Sequence, residues 1–317
     1  MTKKAPPVPG DTPKAGPKSP SGAGPKPPTV PKGVRAKAAG NEKKKKVIKT
    51  FQVAVWSGEG EGEKCLGYAD SGLGKTTLGA LAPTPVFLGL DDGGRKIKDP
   101  RTDEDLKYIP GVETFDDFSQ AVQQVSLFDD YETVVVDTGT ILEALAHDWM
   151  LENVTNDKNE FVANIEKYGW GKGHRHLYDT MRAPLADFDA LIRRGKNILV
   201  LCQMQQAEIT NAAGENYLCD VPKLAQQHGK TPSVWGMWVE WCDHVFKIGY
   251  SDLKAANKKA TASNERIIFL DGTVNYKAKS RTVPSEYSLV TFSDKTDDSL
   301  WRFIFDEAWR DLAEVEK

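Results

Sequence analysis

Ala69-Asp70-Ser71-Gly72-Leu73-Gly74-Lys75-Thr76-Thr77 decides how this chain is read. A small residue, four positions of any kind, then Gly-Lys-Thr is the spacing of a phosphate-binding loop. Glycines at 72 and 74 let the backbone curl until successive amides point inward as an anion nest, and the helix that follows offers its positive end. In such a loop Lys75 reaches the β- and γ-phosphates of a nucleotide, and the Thr76 hydroxyl ligates magnesium. Ala69 stands where glycine is commoner, which is an accepted variant.

The flanks agree with that reading. Phe51 to Trp56 alternates apolar and polar residues, a Gly/Glu turn follows, and Cys65-Leu66-Gly67-Tyr68 then enters the loop, so a hairpin is expected here. Thr77-Leu78-Gly79-Ala80-Leu81 suits a helix on the other side. Further along, Pro85 to Leu90, Thr133 to Val136 and Asn197 to Leu201 are short unbroken apolar runs, as strands buried on both faces should be. Between them lie helical patterns at Phe115 to Leu127, Ile141 to Val154 and Leu177 to Arg194. Strand alternating with helix predicts an α/β fold, a mainly parallel sheet flanked by helices. A late, β-rich portion follows: a stretch with Trp235, Trp238 and Trp241, then strands over His244 to Gly249, Arg266 to Leu270 and Thr273 to Ala278. The spacing of the tryptophans fits one helical face, and a terminal helix is expected over Ser299 to Val315.

The rest of the composition sets bounds. At 317 residues and 39% hydrophobic, the chain can bury one sizeable core. Met1 to Lys46 is Pro, Gly, Lys, Ser and Ala with almost nothing apolar, so residues 1–46 are expected as a disordered basic tail ahead of a single domain over 47–317. Residues 1–50 hold 13 basic side chains against two acidic ones, a charge of +11 in a chain of net −3, so the remainder carries −14. Such an arm suits either attraction to nucleic acid or simple solvation. No apolar run approaches the roughly 20 residues that span a bilayer, and no signal-peptide core is present, so the expectation is a cytoplasmic protein with no membrane partner. Cys65, Cys202, Cys219 and Cys242 read as reduced core thiols; with His228 and His244 they fit no zinc-finger spacing.

Three further positions carry chemistry. Thr133-Val134-Val135-Val136-Asp137 is an apolar strand ending in a carboxylate, the Walker B form, and an acid there faces the crevice where a magnesium shell would sit. A hydrolase also needs a carboxylate to orient the attacking water, and Asp91-Asp92-Gly93-Gly94 offers two, Asp92 being preferred. Asn197 to Leu201 runs into Cys202-Gln203, where a polar amide can sense the γ-phosphate.

This order of P-loop, strand with acid, Walker B aspartate and strand with terminal glutamine resembles the RecA-like ATPase core. It looks most like the phage-associated AAA-type nucleotide-binding proteins related to RecA recombinases, which act in single-strand annealing or recombination. The resemblance covers about residues 51–290. It implies ATP and Mg2+ as ligands, with Thr76 and Asp137 at the metal, and a homo-oligomeric ring or filament. It also implies that Lys279 and Arg281, in Tyr276-Lys277-Ala278-Lys279-Ser280-Arg281, reach the γ-phosphate of a neighbouring subunit. That family usually carries glutamate where Asp92 stands, and the shorter arm implies slow hydrolysis.

Single-stranded DNA would then meet two loops. One is Tyr168 to His176, with flexible glycines, basic groups and Trp170 for stacking; the other is Met204 to about Lys230, directly after Gln203. Two other functions stay open: a protein-remodelling or loading ATPase that docks through the three tryptophans, and a small-molecule kinase, for which no Arg-rich lid is evident.

Overall fold

The computed structural model describes residues 52–53, 58–90, 92–250, 253–256, 259–262, 266–292 and 294–315. The chain divides into two compact units, Met1–Val55 and Trp56–Lys317. In the first, Gln52 and Val53 are exposed. The rest of that unit, including the expected basic tail and the boundary near Lys46, lies outside the described residues, as do Phe51 and Ala54 to Trp56 of the expected hairpin.

The second unit opens with β1 (Lys64–Ala69), α1 (Lys75–Ala80), β2 (Pro85–Gly89), α2 (Phe115–Gln123), β3 (Thr133–Asp137), α3 (Gly139–Asn153) and α4 (Lys172–Ile192). It continues with β4 (Asn197–Ile209), β5 (Tyr217–Pro222), α5 (Val234–Trp241), β6 (His244–Tyr250), β7 (Leu253–Ala256), β8 (Lys259–Ala262) and β9 (Arg266–Phe269). It closes with β10 (Leu289–Phe292), α6 (Ser299–Phe305) and α7 (Trp309–Val315). The main sheet runs β10-β9-β6-β1-β4-β3-β2, with β5 paired to β4 alone. From β6 to β2 every neighbouring pair is parallel; β9 and β10 join as antiparallel strands. This is the expected α/β architecture, a mainly parallel sheet flanked by helices, with a β-rich edge.

Alternation along each strand divides the core between the two faces. Leu66, Tyr68, Val134, Val136, Ile198 and Val200 pack with side chains of α2, α3, α4 and α5. Cys65, Ala69, Val135, Leu199 and Leu201 face α1 and α6, and the Trp301 indole fixes α6 by donating to the Leu78 carbonyl at 2.9 Å. Burying both faces explains why these strands read as unbroken apolar runs. All four cysteines are buried free thiols. No helix among the described residues is long and apolar enough to cross a membrane.

Several expectations change. Gln203 does not end its strand: β4 pairs with β1 as far as Gln203, then continues to Ile209 against β5 as an antiparallel hairpin. Met204 to Lys230 is therefore not a loop throughout: residues 204–209 and Tyr217–Pro222 form a hairpin, because Ala207, Cys219 and Val221 have a small buried cluster to join. Tyr168 to His176 is not a loop throughout; α4 begins at Lys172, four residues after the 3-10 turn Ile165–Tyr168 ends. No strand forms over Thr273 to Ala278. Lys277 N–H bonds to Asp220 on β5 while Lys279 N–H bonds to Val245 on β6, and a segment that changes partner in two residues cannot build a ladder. The terminal helix is broken near Glu307, whose φ is 51°. The tryptophans do lie on one helix, α5, but they are not a free docking face. Trp238 is fully buried and donates to the Met181 carbonyl, and the Trp241 indole donates to Asp189.

Candidate functional site

The carboxyl edge of the parallel strands holds a cleft of about 620 Å³, and the P-loop forms one wall of it. Gly72 and Gly74 take φ of 81° and 90°, backbone that only glycine adopts cheaply, so the loop curls as its sequence requires. Gly74 caps α1 with no side-chain hydrogen bond, which leaves the first-turn amides to the cleft. Ser71, Gly72, Gly74, Lys75, Thr76 and Thr77 all line it, with Asp137, Thr138 and Gln203. Ala69 is buried at the end of β1 and Leu73 packs into the core on the α1 and α6 side of the sheet, so these two anchor the loop.

Lys75 is 8% exposed, and its ammonium donates to the carbonyls of Ala69 at 3.1 Å and Asp70 at 2.9 Å. Charge is thus held against the loop, where an incoming phosphate competes for it. The Thr76 hydroxyl donates to Asp137 Oδ2 at 2.6 Å. A hydroxyl and a carboxylate in contact at the mouth of an anion nest are hard oxygen donors, and Mg2+ with a nucleotide is bound through one or two such groups plus phosphate. Thr76 and Asp137 therefore fit the implied metal.

Asp137 is fixed from behind. Its carbonyl accepts from Leu90 N–H at 2.8 Å, tying β3 to the segment after β2. That segment starts a 3-10 turn, Asp92–Lys96, and Gly93 of the turn lines the cleft. The backbone at Asp92 thus borders the site; Asp91 and the Asp92 side chain lie outside the described residues.

Gln203 is held by its backbone. Its N–H donates to Thr140 Oγ1 at 3.0 Å, its carbonyl accepts from Lys223 N–H at 2.7 Å, and the Thr140 hydroxyl donates to the Lys223 carbonyl at 3.0 Å. One turn along α3, a Glu143 oxygen accepts from Ala225 N–H at 2.7 Å, and burial pushes its carboxyl up to about 7. The cleft is thereby linked by hydrogen bonds to the strand and loop that follow it. Composition and spacing gave no sign of Thr140 or Glu143, since both lie inside an ordinary helical pattern.

Lys279 and Arg281 are not brought to this cleft. Lys279 pairs with Val245, near the amino end of β6, and its ammonium donates to the Glu240 carbonyl; burial lowers its affinity for a proton. Arg281, 61% exposed, forms an ion pair with Asp243 at 3.2 Å. Neither lines the cleft of its own chain.

The two segments expected to meet DNA touch one another. His174 on α4 stacks on His228, ring centroids 3.7 Å apart and planes 24° from parallel. Beside them Trp170 is 97% exposed with φ of 51°, between two glycines that also have positive φ. His174 and His176 join no metal-binding group among the described residues.

Sequence reading also missed the opposite wall of the cleft, formed by Arg266, Phe292, Asp294 and Lys295. Arg266 reaches this edge because β9 is antiparallel to β6, so its first residue lies where the parallel strands end, and Phe292 lies beside it in register; such pairing is not written in the sequence.

A family model described as an AAA domain matches residues 61–282. No curated protein matches the chain. Among solved structures, a KaiC-like protein from the hyperthermophilic archaeon Pyrococcus horikoshii OT3 is similar at 12% identity, covering 73% of this chain and 90% of that one with a TM-score of 0.38.

Proposed function

This chain belongs to the AAA domain family, and we propose that it binds ATP with Mg2+, hydrolyses it, and couples that cycle to single-stranded DNA in recombination, annealing or replication. The observation that carries the nucleotide part is the contact of Thr76 with Asp137 at the mouth of the P-loop, beside the buried Lys75. Mg2+ held by Thr76 and Asp137 would supply charge neutralisation for the phosphates. The chain's own residues do the rest. Loop amides and Lys75 hold the phosphates, Thr76 and Asp137 offer the oxygen ligands, and Asp92 is the proposed group that orients water.

The DNA part is supported by the contact between the two candidate segments. Trp170 offers a free ring for base stacking, with Lys172 and Arg175 on the adjoining turn of α4, and the His174–His228 stack joins this patch to the segment beyond Lys223. Since Lys223 and Ala225 are bonded to Gln203, Thr140 and Glu143, a γ-phosphate felt at Gln203 has a physical route to the patch.

A homo-oligomer follows from the same reading. Lys279 and Arg281 are away from their own cleft, so their proposed role is in the site of a neighbouring subunit. Turnover of ATP with and without single-stranded DNA tests the function. Stimulation that is lost in Trp170→Ala supports it, whereas turnover indifferent to DNA at low salt overturns the DNA part.

A further inference from the structure

We infer that Arg266 recognises the nucleoside half of the nucleotide, its guanidinium stacking on the base; this rests on reading the cleft as a nucleotide site. Arg266 is the first residue of β9 and is in register with Tyr250 on β6 and Phe292 on β10, which places it at the same sheet edge as the P-loop. A methyl group built on Gly74 would come within 2.6 Å of Arg266 Nη1 and 3.6 Å of Phe292 Cε1, so the guanidinium lies directly against the loop. It is part-buried there, yet makes no hydrogen bond or ion pair among the described residues. A part-buried arginine on a cleft wall without a carboxylate partner is poised for a ligand.

Position along the cleft says which part of the ligand. Thr76, Asp137 and Gln203 mark the γ-phosphate and metal end, over β1, β4 and β3. β9 lies two strands from β1 in the other direction, about 10 Å at the usual strand spacing. A triphosphate held with its γ-phosphate toward Asp137 runs back across Gly74 and leaves its sugar and base on the β6–β9 side. The phosphate charge is already met by loop amides and Lys75. What remains to be held is a flat aromatic base, and the planar guanidinium is suited to its face. Phe292, 4% exposed, packs behind as a fixed apolar support.

Direct binding of ATP, ADP and inorganic tripolyphosphate, measured by calorimetry on the full chain, tests this. Arg266→Ala should weaken ATP and ADP about tenfold while leaving tripolyphosphate unchanged. Arg266→Lys keeps the charge but not the plane, so it should fall with the alanine variant. Retained tripolyphosphate binding also shows that each variant is folded. Equal loss of ATP and tripolyphosphate would make Arg266 a phosphate ligand and overturn the inference, as would unchanged binding of all three or full rescue by lysine. A parent chain that binds neither ATP nor tripolyphosphate would overturn the reading of the cleft itself.

Discussion

The two walls of the cleft are built in different ways. The P-loop wall is one continuous run, Ala69 to Thr77, whose glycines, lysine and threonine carry out their chemistry within nine neighbouring positions. The opposite wall gathers Arg266, Phe292, Asp294 and Lys295 from two antiparallel strands and the turn after them, and it exists only once β9 pairs with β6. A local wall should respond sharply to loss of the residues that do its chemistry. An assembled wall, and the hydrogen-bonded layer behind the cleft, should answer substitution with graded shifts.

Lys75→Ala should break the local wall outright, lowering ATP turnover by about a thousandfold because a charge-assisted phosphate contact is lost. Turnover near that of the parent would refute the assignment. Asp137→Asn comes next, a few hundredfold in turnover with much of the nucleotide binding spared, since the amide keeps the shape but not the charge of a metal ligand. A magnesium titration of both binding and turnover separates the two effects.

Glu143 sharpens the contrast, because it acts on stability and through pH. Its carboxyl is pushed up to about 7 by burial, so the folded chain keeps a proton that the unfolded chain releases between its ordinary value of 4.5 and about 7. Stability from this group is therefore full below 4.5, declines as pH rises to about 7, and is flat beyond. Glu143→Gln cannot ionise, yet its amide oxygen can still accept from Ala225. Unfolding in urea should find the variant on the order of 3 kcal/mol more stable than the parent at pH 8.5 and equal to it at pH 4. Equal midpoints at both pH values would show that Glu143 is not held in this way.

The smallest expected effect on folding is at Arg281. Its ion pair with Asp243 is exposed, so Arg281→Ala should cost less than about 1 kcal/mol of stability. If turnover nevertheless collapses, and returns when the variant is mixed with Lys75→Ala chains, the arginine acts on a neighbour's nucleotide. Failure of the mixture to recover would remove that role.

Much of this molecule is legible in its sequence for a physical reason. Strands buried on both faces must be apolar throughout, so β1, β2, β3 and the first half of β4 announce themselves. Phosphate needs amides, a cation and a hydroxyl at fixed spacing, so the P-loop does the same, and Asp137 follows as the acid at a parallel strand's end. The second half of β4 was hidden because its polar residues alternate with few apolar ones, and they become a strand only when β5 covers Ala207. The first turn of α4 was hidden because Gly171 and Gly173 look like loop residues; Gly173 is there because a side chain would strike the Ile165 carbonyl, 2.3 Å from where its Cβ would be.

By itself, then, the sequence determined the P-loop end of the cleft, the parallel core around it and the acid that Thr76 meets there, since each of these is a local constraint on residue type. Tertiary structure alone decided that Arg266 shares a cleft with Gly74, that Gln203 is tied through Thr140 to Lys223, and that His174 meets His228. Those are matters of which strand pairs with which and in what direction, and pairing is settled by the packing of whole surfaces, not by any residue's own preference.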